Sequence, residues 1–482
     1  MKTSSTFSLM PKLKEECGIL GIFTKSERLR NFVGGLKTLQ HRGQEGAGIV
    51  WMDDKGLHQH KGIGLVSAVF DHFEQIEDSF CQAIGHVRYS TTGTSLLQEV
   101  QPFVIENAEK SVTIAHNGHL INHQQLAQKL QAKGTVLTTT SDTEVMIHLI
   151  AQDFHLSFQE RCIAALQQVE GAYSILMMDR EYLIACRDPY GFRPLVMGQK
   201  DGAVVFASES VALEQMQAQI LREIVPGEMV VVSLEANTSR IQWRSIFPFQ
   251  RQIPQPCIFE WMYFARPESV VFGKSVNQIR IRLGQRLAKM HPIDADIVIA
   301  IPDSGTPCAL GYAQESGIPF AIGLTRNEAA HRSFIQPKQQ QRNQLVASKF
   351  SVIDSVVSGK KVVVVDDSLV RGTTSRKIIQ VIRQANAQEI HLRIGAPPMK
   401  YGCYYGVDTA NQSMLLAHGR DVEQMKQYLG VDSLAFLSLE DLQTIEGDQT
   451  FCHACFTGKY VHSSLNQSDF LKISSNKSGF DA

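Results

Sequence analysis

Residues 362–374, VVVVDDSLVRGTT, place two carboxylates and a loop rich in hydroxyls directly after four consecutive valines. An unbroken run of β-branched apolar residues is typical of a parallel strand that is covered on both faces. Asp366 and Asp367 would then lie at the carboxyl end of the strand, where open α/β sheets bind their ligands. The pattern therefore predicts a ligand site at that edge of a sheet.

The residues after the two acids are suited to holding a phosphate. Gly372 lets the backbone approach an anion closely, and Thr373 and Thr374 offer hydroxyls and a helix N-cap. The apolar spacing from Ile378 to Ile382 predicts a helix whose N-terminal N–H groups face the phosphate. The acids are then best explained by sugar hydroxyls and by a shared Mg²⁺ ion. These parts describe a phosphorylated ribose; the alternative is an ordinary strand, an acidic turn and a capped helix.

The segment resembles the phosphoribosyl pyrophosphate (PRPP) motif of type I phosphoribosyltransferases, and its wording DDS-x-VRGTTS is nearest to the glutamine PRPP amidotransferase family. Residues 259–269, FEWMYFARPES, resemble that family's entry to its transferase domain. Residues 302–306, PDSGT, resemble the loop that holds pyrophosphate, although their composition suits any strand-ending turn. The PRPP-binding residues that the resemblance implies are Ser304, Asp366, Asp367, Arg371, Gly372, Thr373 and Thr374. The Mg²⁺ ligands among them would be Ser304, Asp366 and Asp367.

Length and composition leave room for a second site. The chain has 482 residues with 43% apolar content, which is more than one core usually holds. A net charge of -1 argues against a nucleic-acid partner. No apolar run approaches the roughly 18 residues of a membrane span, and residues 1–16 lack the apolar centre of a secretory signal. These features predict a cytoplasmic protein in which the nine cysteines serve as thiols, catalytic groups or metal ligands.

The first half of the chain carries a possible nucleophile. Residues 15–19, EECGI, resemble the cleavage point of N-terminal-nucleophile (Ntn) glutamine amidotransferases, in which a leader is removed to expose the cysteine. The α-amino group of Cys17, with a pKa near 8, could then act as the base for its own thiolate. The alternative is a cysteine within a strand.

Glutamine presents one carboxylate and one ammonium, so its site needs a cation and an anion. The resemblance assigns the carboxylate to Arg88, with Thr91 in the same segment, and the ammonium to Asp142. It assigns Asn117 and Gly118 to an oxyanion hole beside the catalytic cysteine. The alternatives are a surface arginine, an Asp N-cap and an Asn-Gly hairpin turn.

Four further cysteines, Cys257, Cys403, Cys452 and Cys455, stand where one branch of the family ligates a 4Fe-4S cluster. Structural zinc is the alternative. The remaining four, Cys81, Cys162, Cys186 and Cys308, have no such context and are expected to be small core residues.

The chain departs from the family in the flexible lid that closes over PRPP. Glu328 replaces an arginine, Ala329 a tyrosine and Ala347 a basic residue, while Arg326 and Arg332 are basic. An acid near a polyanion could weaken PRPP binding by like-charge repulsion.

The predicted secondary structure changes at the prolines at positions 248, 254 and 256, which divide the chain into two halves. Short alternating strands before them (18–23, 112–116, 172–178 and 204–208) predict antiparallel sheets, with helices near 124–131 and 143–153. After them, strands at 297–301 and 362–365 alternate with helices near 275–289 and 375–385. The predicted fold is α/β, an αββα Ntn-type glutaminase domain followed by a type I phosphoribosyltransferase domain with a parallel sheet. We expect a leader (1–16), a glutaminase domain (17–250), a transferase domain with a cluster-binding C-terminal segment (251–460) and a disordered tail (461–482).

The family implies that glutamine, PRPP and water are converted to 5-phosphoribosylamine, glutamate and pyrophosphate, with ammonia passing between the two sites. It also implies a homo-oligomer and feedback inhibition by purine nucleotides. Two alternatives remain: a glucosamine-6-phosphate synthase, whose sugar-isomerase domain has no place for residues 362–374, and a degenerate regulator that only senses PRPP or nucleotides. The intact set of Cys17, Arg88, Asn117 and Asp142 argues against the regulator.

Overall fold

The computed structural model describes residues 17–75, 79–89, 97–107, 110–153, 155–236, 238, 240–326, 350–407, 409 and 412–462. The expected leader, Thr91 and the lid residues Glu328, Ala329, Arg332 and Ala347 lie outside these ranges. Within them, no helix is long and apolar enough to cross a membrane.

The described residues of the N-terminal half, within 17–246, form thirteen strands. In chain order these are β1 (Gly18–Arg28), β2 (Gly46–Asp53), β3 (Gly56–Ile63), β4 (Ser79–Arg88), β5 (Phe103–Asn107), β6 (Lys110–Leu120), β7 (Gly171–Met178), β8 (Tyr182–Arg187), β9 (Val196–Lys200), β10 (Ala203–Ala207), β11 (Gln219–Glu223), β12 (Met229–Leu234) and β13 (Ile241–Ile246). The helices of this half are α1 (Leu29–Thr38), α2 (Val66–Val69), α3 (His123–Ala132), α4 (Asp142–Ile150), α5 (Phe158–Leu166) and α6 (Ser210–Gln215).

These strands form two antiparallel sheets, ordered β11-β9-β10-β1-β4-β2-β3 and β13-β12-β8-β7-β6-β5. The sheets pack face to face through apolar side chains such as Ile19, Ile84 and Leu176. Helix α1 covers the outer face of the first sheet, and α3, α4 and α5 cover the second. Because each sheet has apolar residues on both faces, it is buried between the other sheet and the helices, which gives the predicted αββα layers.

The C-terminal half begins after residues 247–256, which contain no helix or strand. Its strands are β14 (Val270–Val271), β15 (Lys274–Ser275), β16 (Ile297–Ala300), β17 (Leu324–Arg326), β18 (Phe350–Val352), β19 (Lys361–Asp366), β20 (Glu389–Ile394) and β21 (Ser433–Phe436). Its helices are α7 (Val276–Met290), α8 (Thr306–Ser316), α9 (Asp354–Val357), α10 (Thr373–Gln384), α11 (Val422–Leu429), α12 (Leu439–Glu446) and α13 (Ala454–Thr457), preceded by a π-helical turn, Glu260–Phe264.

The main sheet of this half is parallel, with the order β16-β19-β20-β21. The four valines of β19 are fully buried at its centre, as predicted for a strand covered on both faces. Their register, with Ile297 opposite Val362 and Ala300 opposite Val365, brings the carboxyl ends of β16 and β19 to the same edge. The two predicted PRPP loops therefore leave the sheet side by side.

Some element ends differ from the predictions. Helix α4 stops at Ile150, and Ser208 lies beyond the end of β10. The prediction that Thr373 and Thr374 cap a helix is wrong, because both lie in the first turn of α10 and Gly372 is its N-cap. Gly372 has a left-handed backbone (φ +72°), which a residue without a Cβ adopts at no steric cost.

Candidate active sites in the two halves

Cys17 lies at the entry to β1, between the two sheets. Its side chain is half-buried, and its Sγ is 3.7 Å from the carbonyl oxygen of Tyr89, just after β4. The backbone carbonyl of Cys17 accepts a hydrogen bond from Nε of the buried Arg42 (3.3 Å). The nucleophile predicted from sequence is thus held at its main chain by Arg42, with a half-buried thiol beside the end of β4.

Asn117 and Gly118 lie within β6, opposite Ser174 and Tyr173 of β7, so the alternative of a hairpin turn is wrong. The side chain of Asn117 is fully buried, and neither its amide oxygen nor its nitrogen has a hydrogen-bond partner among the described residues. Gly118 has a φ of +147°, and a Cβ there would be 2.0 Å from the carbonyl oxygen of Ala172. A buried amide without a partner is costly unless a ligand satisfies it.

Arg88, at the end of β4, is buried, and its Nη2 donates a hydrogen bond to Oε2 of Glu99. Its Nη1 has no partner in the described part of the chain. The alternative of a surface arginine is therefore wrong. One nitrogen of the Arg88 guanidinium is already hydrogen-bonded to an acid, Glu99. One buried donor is left to receive a substrate carboxylate.

Asp142 is the first residue of α4, and the N-cap is Ser141. The Asp142 carboxylate accepts a hydrogen bond from the backbone N–H of Leu120 (2.9 Å) and lies 3.7 and 3.4 Å from Nδ1 of His116 and His119. Burial alone would raise the pKa of this carboxyl, but His116 and His119 outweigh burial and hold the pKa well below its ordinary value. A permanent negative charge suits the role predicted for Asp142, which is to receive an ammonium.

Several residues that the sequence analysis did not single out brace this site. Glu99 accepts a hydrogen bond from Thr140 Oγ1 (2.7 Å) through the oxygen that does not touch Arg88. Gln101 accepts from the backbone N–H of His116 (2.7 Å) and donates to Thr143 Oγ1 (3.1 Å). Glu99 and Gln101 thereby tie the end of β4 and the middle of β6 to the start of α4. The only available signal in the sequence was their position just before Pro102.

A second site lies at the carboxyl edge of the parallel sheet. A cleft at this edge is lined by Tyr263 and, from the predicted motif, by residues 366–368 and 370–375. Asp366 and Asp367 are almost fully buried, and Oδ2 of Asp367 has no hydrogen-bond partner among the described residues. Arg371, Gly372, Thr373 and Thr374 all face this cleft. Tyr263 was missed, although it lies in the entry segment that the sequence analysis quoted.

Ser304 lies in the neighbouring loop after β16. The next residue, Gly305, packs so closely that a Cβ would be 2.8 Å from the Val365 carbonyl and 3.2 Å from Cα of Asp366. In the same loop, Oδ2 of Asp303 forms an ion pair with Nη1 of Arg326 (2.9 Å), the basic residue at the end of β17. The structure therefore brings the predicted pyrophosphate loop against the two acids, and places one basic lid residue beside that loop.

The four predicted cluster ligands come together in the C-terminal half. Cys257 and Cys452 are joined by a parallel backbone bridge, and Sγ of Cys403 accepts from the backbone N–H of Tyr405 (3.3 Å). The pKa of the Cys455 thiol is raised well above its ordinary value, first by burial and then by the neighbouring Cys452, Cys257 and Cys403. A thiol in such a group is a poor anion unless a metal compensates its charge.

In the described part of the chain, no three His, Cys, Asp or Glu side chains converge closely enough to hold a single metal ion. Zinc would require its sulfur ligands about 2.3 Å from one point, whereas an iron–sulfur cluster is a larger body held at its periphery by four thiolates. The 4Fe-4S assignment of these four cysteines stays a prediction. Cys162, Cys186 and Cys308 are buried as expected, but Cys81 is only half-buried.

Models of known families match both halves. The glutamine amidotransferase domain matches residues 86–215, and the phosphoribosyl transferase domain matches residues 276–396. Fold and sites together define a protein that joins a glutamine amidotransferase of Ntn type to a phosphoribosyltransferase, which confirms the predicted fold class.

The similarity to characterised proteins covers nearly the whole chain. The chain is 48% identical over 465 residues to the chloroplastic amidophosphoribosyltransferase of Vigna aconitifolia, covering 95% of this chain and 94% of that protein. It is 42% identical to the amidophosphoribosyltransferase of Bacillus subtilis (strain 168), covering 93% of this chain and 94% of that protein. A solved structure of glutamine PRPP amidotransferase from B. subtilis, complexed with ADP and GMP, aligns with a TM-score of 0.85 at 40% identity, covering 92% of this chain and 97% of that one.

The chain belongs to the amidophosphoribosyltransferase family and is a glutamine-dependent phosphoribosyltransferase of purine biosynthesis. The alternative of a degenerate regulator is not favoured by a match of this extent.

Proposed function

We propose that Cys17 releases ammonia from glutamine and that this ammonia reacts with PRPP in the cleft formed by residues 366–375. The observation that carries this assignment is that both sites hold buried polar atoms with no partner in the described part of the chain: the Asn117 amide and Arg88 Nη1 in one, and Asp367 Oδ2 in the other. Buried groups of this kind need a ligand.

In the glutaminase reaction, the Cys17 thiolate attacks the amide carbon of glutamine. Asn117 and the backbone N–H of Gly118 stabilise the tetrahedral oxygen, while Arg88 and Asp142 hold the α-carboxylate and the α-ammonium, with Thr91 in the same segment as Arg88. The α-amino group of a mature Cys17 takes the thiol proton and returns it to the departing ammonia. Water then hydrolyses the γ-glutamyl thioester to glutamate.

In the transferase reaction, ammonia attacks the anomeric carbon of PRPP and pyrophosphate leaves. Arg371 and the first turn of α10, with Gly372, Thr373 and Thr374, hold the 5-phosphate. Asp366 and Asp367 accept from the ribose hydroxyls and, with Ser304, would hold Mg²⁺. When bound, that ion neutralises charge on the leaving pyrophosphate.

The decisive experiment measures phosphoribosylamine formation with glutamine and, separately, with ammonia. Cys17→Ala should abolish the glutamine-dependent reaction and leave the ammonia-dependent one intact, because the variant removes only the nucleophile. Intact-protein mass spectrometry should show an active protein that begins at Cys17, since an internal amide nitrogen cannot serve as the base. A fully active protein that retains Met1 would contradict this mechanism.

We also propose that Cys257, Cys403, Cys452 and Cys455 ligate a 4Fe-4S cluster. When bound, the cluster would tie residues 403 and 452–455 to the segment around Cys257. Anaerobically purified protein should be brown, with about four irons and four inorganic sulfides per chain. Cys455→Ser should lose iron and impair folding, and stoichiometric zinc without sulfide would overturn the assignment.

Purine nucleotides are proposed as feedback inhibitors. Support comes from two solved relatives, one complexed with ADP and GMP and one described as the allosteric regulatory enzyme of purine biosynthesis. A homo-oligomer and a cytoplasmic location remain predictions from the sequence. The plant relatives are described as chloroplastic, so location is best settled by microscopy of the tagged chain.

A further inference from the structure

One segment of the C-terminal half, Tyr405–Gly406, packs directly on Gly118 of the N-terminal half. The packing is so close that a Cβ on Gly406 would lie 3.0 Å from the carbonyl carbon and 3.2 Å from Cα of Gly118. Gly406 also has a φ of +107°, which L side chains rarely adopt. The residue is therefore a glycine for two reasons, its backbone conformation and the lack of space above Gly118.

Tyr405 is held in place by two residues of the N-terminal half. Its ring stacks on Phe192, with centroids 4.1 Å apart and an interplanar angle of 18°. Its carbonyl oxygen accepts two hydrogen bonds from the guanidinium of Arg193, through Nε (3.1 Å) and Nη2. Phe192, Arg193 and Tyr405 are all almost completely buried. The segment is thus fixed on the N-terminal half by stacking and by a charged donor, and is not a loosely apposed loop.

We infer that Tyr405–Gly406 positions the oxyanion hole, so that the C-terminal half completes the glutaminase site. This inference rests on the proposed roles of Asn117 and Gly118. A Cβ on Gly118 itself would lie 2.0 Å from the carbonyl oxygen of Ala172, so Gly118 also packs closely against β7. Gly118 is therefore clamped between β7 and Gly406, and this clamp fixes the direction of its N–H.

The direction of that N–H matters because an oxyanion donor acts only when it points at the oxygen of the tetrahedral intermediate. A shift of Gly118 should then reduce the rate of the chemical step more than the binding of glutamine. Tyr405 and Gly406 touch no reacting atom, so both are positioning residues.

The test compares Gly406→Ala with Gly419→Ala in the full chain. Gly419 lies in the same C-terminal region and also has a positive φ (+70°), but no atom of the described residues lies within 4 Å of the position that a Cβ would take there. The control therefore carries the backbone strain without the contact. Gly406→Ala should lower kcat for glutamine by about tenfold or more with little change in KM, because displacing an oxyanion donor costs less than the roughly 10²–10³-fold loss that follows its removal. Gly419→Ala should leave both constants near wild type.

Two further measurements separate positioning from a general loss of structure. Ammonia-dependent synthesis and the rate of Cys17 alkylation by iodoacetamide need no oxyanion hole, and both should be unchanged in Gly406→Ala. If Gly406→Ala does not fold, Phe192→Leu removes the ring under Tyr405 without adding atoms and should give the same kcat effect. A kcat that matches the Gly419→Ala control, or alkylation that falls in parallel with kcat, would overturn the inference.

Asn117→Ala distinguishes failure of this inference from failure of the proposed function. If Asn117→Ala lowers kcat strongly while Gly406→Ala does not, the oxyanion hole is correctly assigned and the clamp is wrong. If Asn117→Ala has no effect, the oxyanion assignment itself fails, and the inference fails with it.

Discussion

Glu99 joins the residues that are proposed to hold the two ends of glutamine. One of its oxygens accepts from Arg88 and the other from Thr140, two residues before Asp142. Arg88 ends β4 of the first sheet and Asp142 begins α4, which covers the second sheet, so a buried acid that contacts both segments fixes the spacing between the carboxylate and ammonium subsites. Because each Glu99 oxygen accepts a hydrogen bond, the carboxylate is held in one orientation and positions the residues that it contacts.

We expect Glu99→Gln to raise the KM for glutamine by about tenfold with a small change in kcat, because a neutral amide holds Arg88 less firmly than a buried carboxylate. Steady-state glutaminase assays measure this. The control substrate is 4-aminobutanamide, which is glutamine without its α-carboxylate, and its kcat/KM should be insensitive to the substitution. Arg88→Lys should show the same dependence on substrate. A lower KM for glutamine in Glu99→Gln would show that the acid competes with substrate instead of positioning Arg88.

Buried His86, in β4, makes the free energy of unfolding depend on pH. Burial, followed by the positive neighbours Arg88 and His116, lowers the pKa of the His86 imidazole to about 3. An unfolded histidine titrates near 6.5, so between these values the unfolded chain binds a proton that the folded chain excludes. The stabilising contribution of neutral His86 is complete above pH 6.5 and is lost as the pH falls below it.

The free energy of unfolding should therefore fall by up to about 1.4 kcal/mol per pH unit below 6.5. In His86→Leu this dependence should be shallower, which thermal melts of the N-terminal half at pH 7, 6 and 5 can measure. His155→Leu, at an exposed turn, should keep the wild-type slope. Equal slopes in all three proteins would exclude His86 as the source.

At the scale of elements, function depends on where α10 begins. The helix starts at Thr373 because Gly372 turns the chain with a left-handed backbone, and the first turn then lines the cleft beside Asp366 and Asp367. A Cβ on Gly372 would lie 2.7 Å from Cδ2 of Leu416, and the positive φ adds roughly 1–2 kcal/mol of strain for an L-residue.

Gly372→Ala should raise the KM for PRPP in the ammonia-dependent assay, because the strained N-cap shifts the first turn of α10. Gly359→Ala is the matched control, since Gly359 has the same φ of +72° in open space just before β19. It should cost similar backbone strain and leave the KM for PRPP unchanged. If both variants raise KM equally, the effect is a general weakening of the C-terminal half and not a property of the α10 N-terminus.

At the scale of the whole molecule, the two halves are joined by buried charges. Nη1 and Nη2 of Arg42, in the N-terminal half, donate to Glu260 of the π-helical turn (2.9 and 2.7 Å), and Nη1 also donates to Glu209 (2.6 Å). Nη1 of Arg193 lies 3.6 Å from Oε1 of Glu260, the oxygen that also accepts from Nη2 of Arg42. The same Arg42 holds the carbonyl of Cys17, and Glu260 is three residues from Tyr263 in the PRPP cleft. The charges therefore connect the surroundings of both sites.

Glu260→Gln should destabilise the chain by about 3–5 kcal/mol, because it leaves a buried guanidinium without its full counter-charge. Thermal unfolding should show a clearly lower midpoint, or two separate transitions if the halves no longer unfold together. Glu268→Gln, which removes a half-exposed partner of Arg266, should change the midpoint little. Similar small shifts in both variants would show that the interface does not depend on these charges.

The sequence alone determined those parts of the chain whose chemistry is local. Residues 362–374 carry a strand, two acids and a helix start in one run, so the position of the two acids at the carboxyl edge of the sheet follows from the local pattern. For the segments around Cys17, Asn117 and Asp142, the residue types left local alternatives open, and the predicted roles came from the family resemblance that the same short runs carry.

The tertiary structure decided which distant residues complete each site. Glu260 and the Tyr405–Gly406 segment carry no local signal of function, because their partners lie far along the chain: Arg42 and Glu260 are 218 residues apart, and Arg193 and Tyr405 are 212 apart. It also decided that Asn117–Gly118 is a strand and not a turn, because pairing with β7 outweighs the local turn preference of that dipeptide. Local turn and strand preferences are weak compared with the burial and hydrogen bonding that a sheet supplies. Both depend on residues outside the segment, so a prediction made one segment at a time cannot include them.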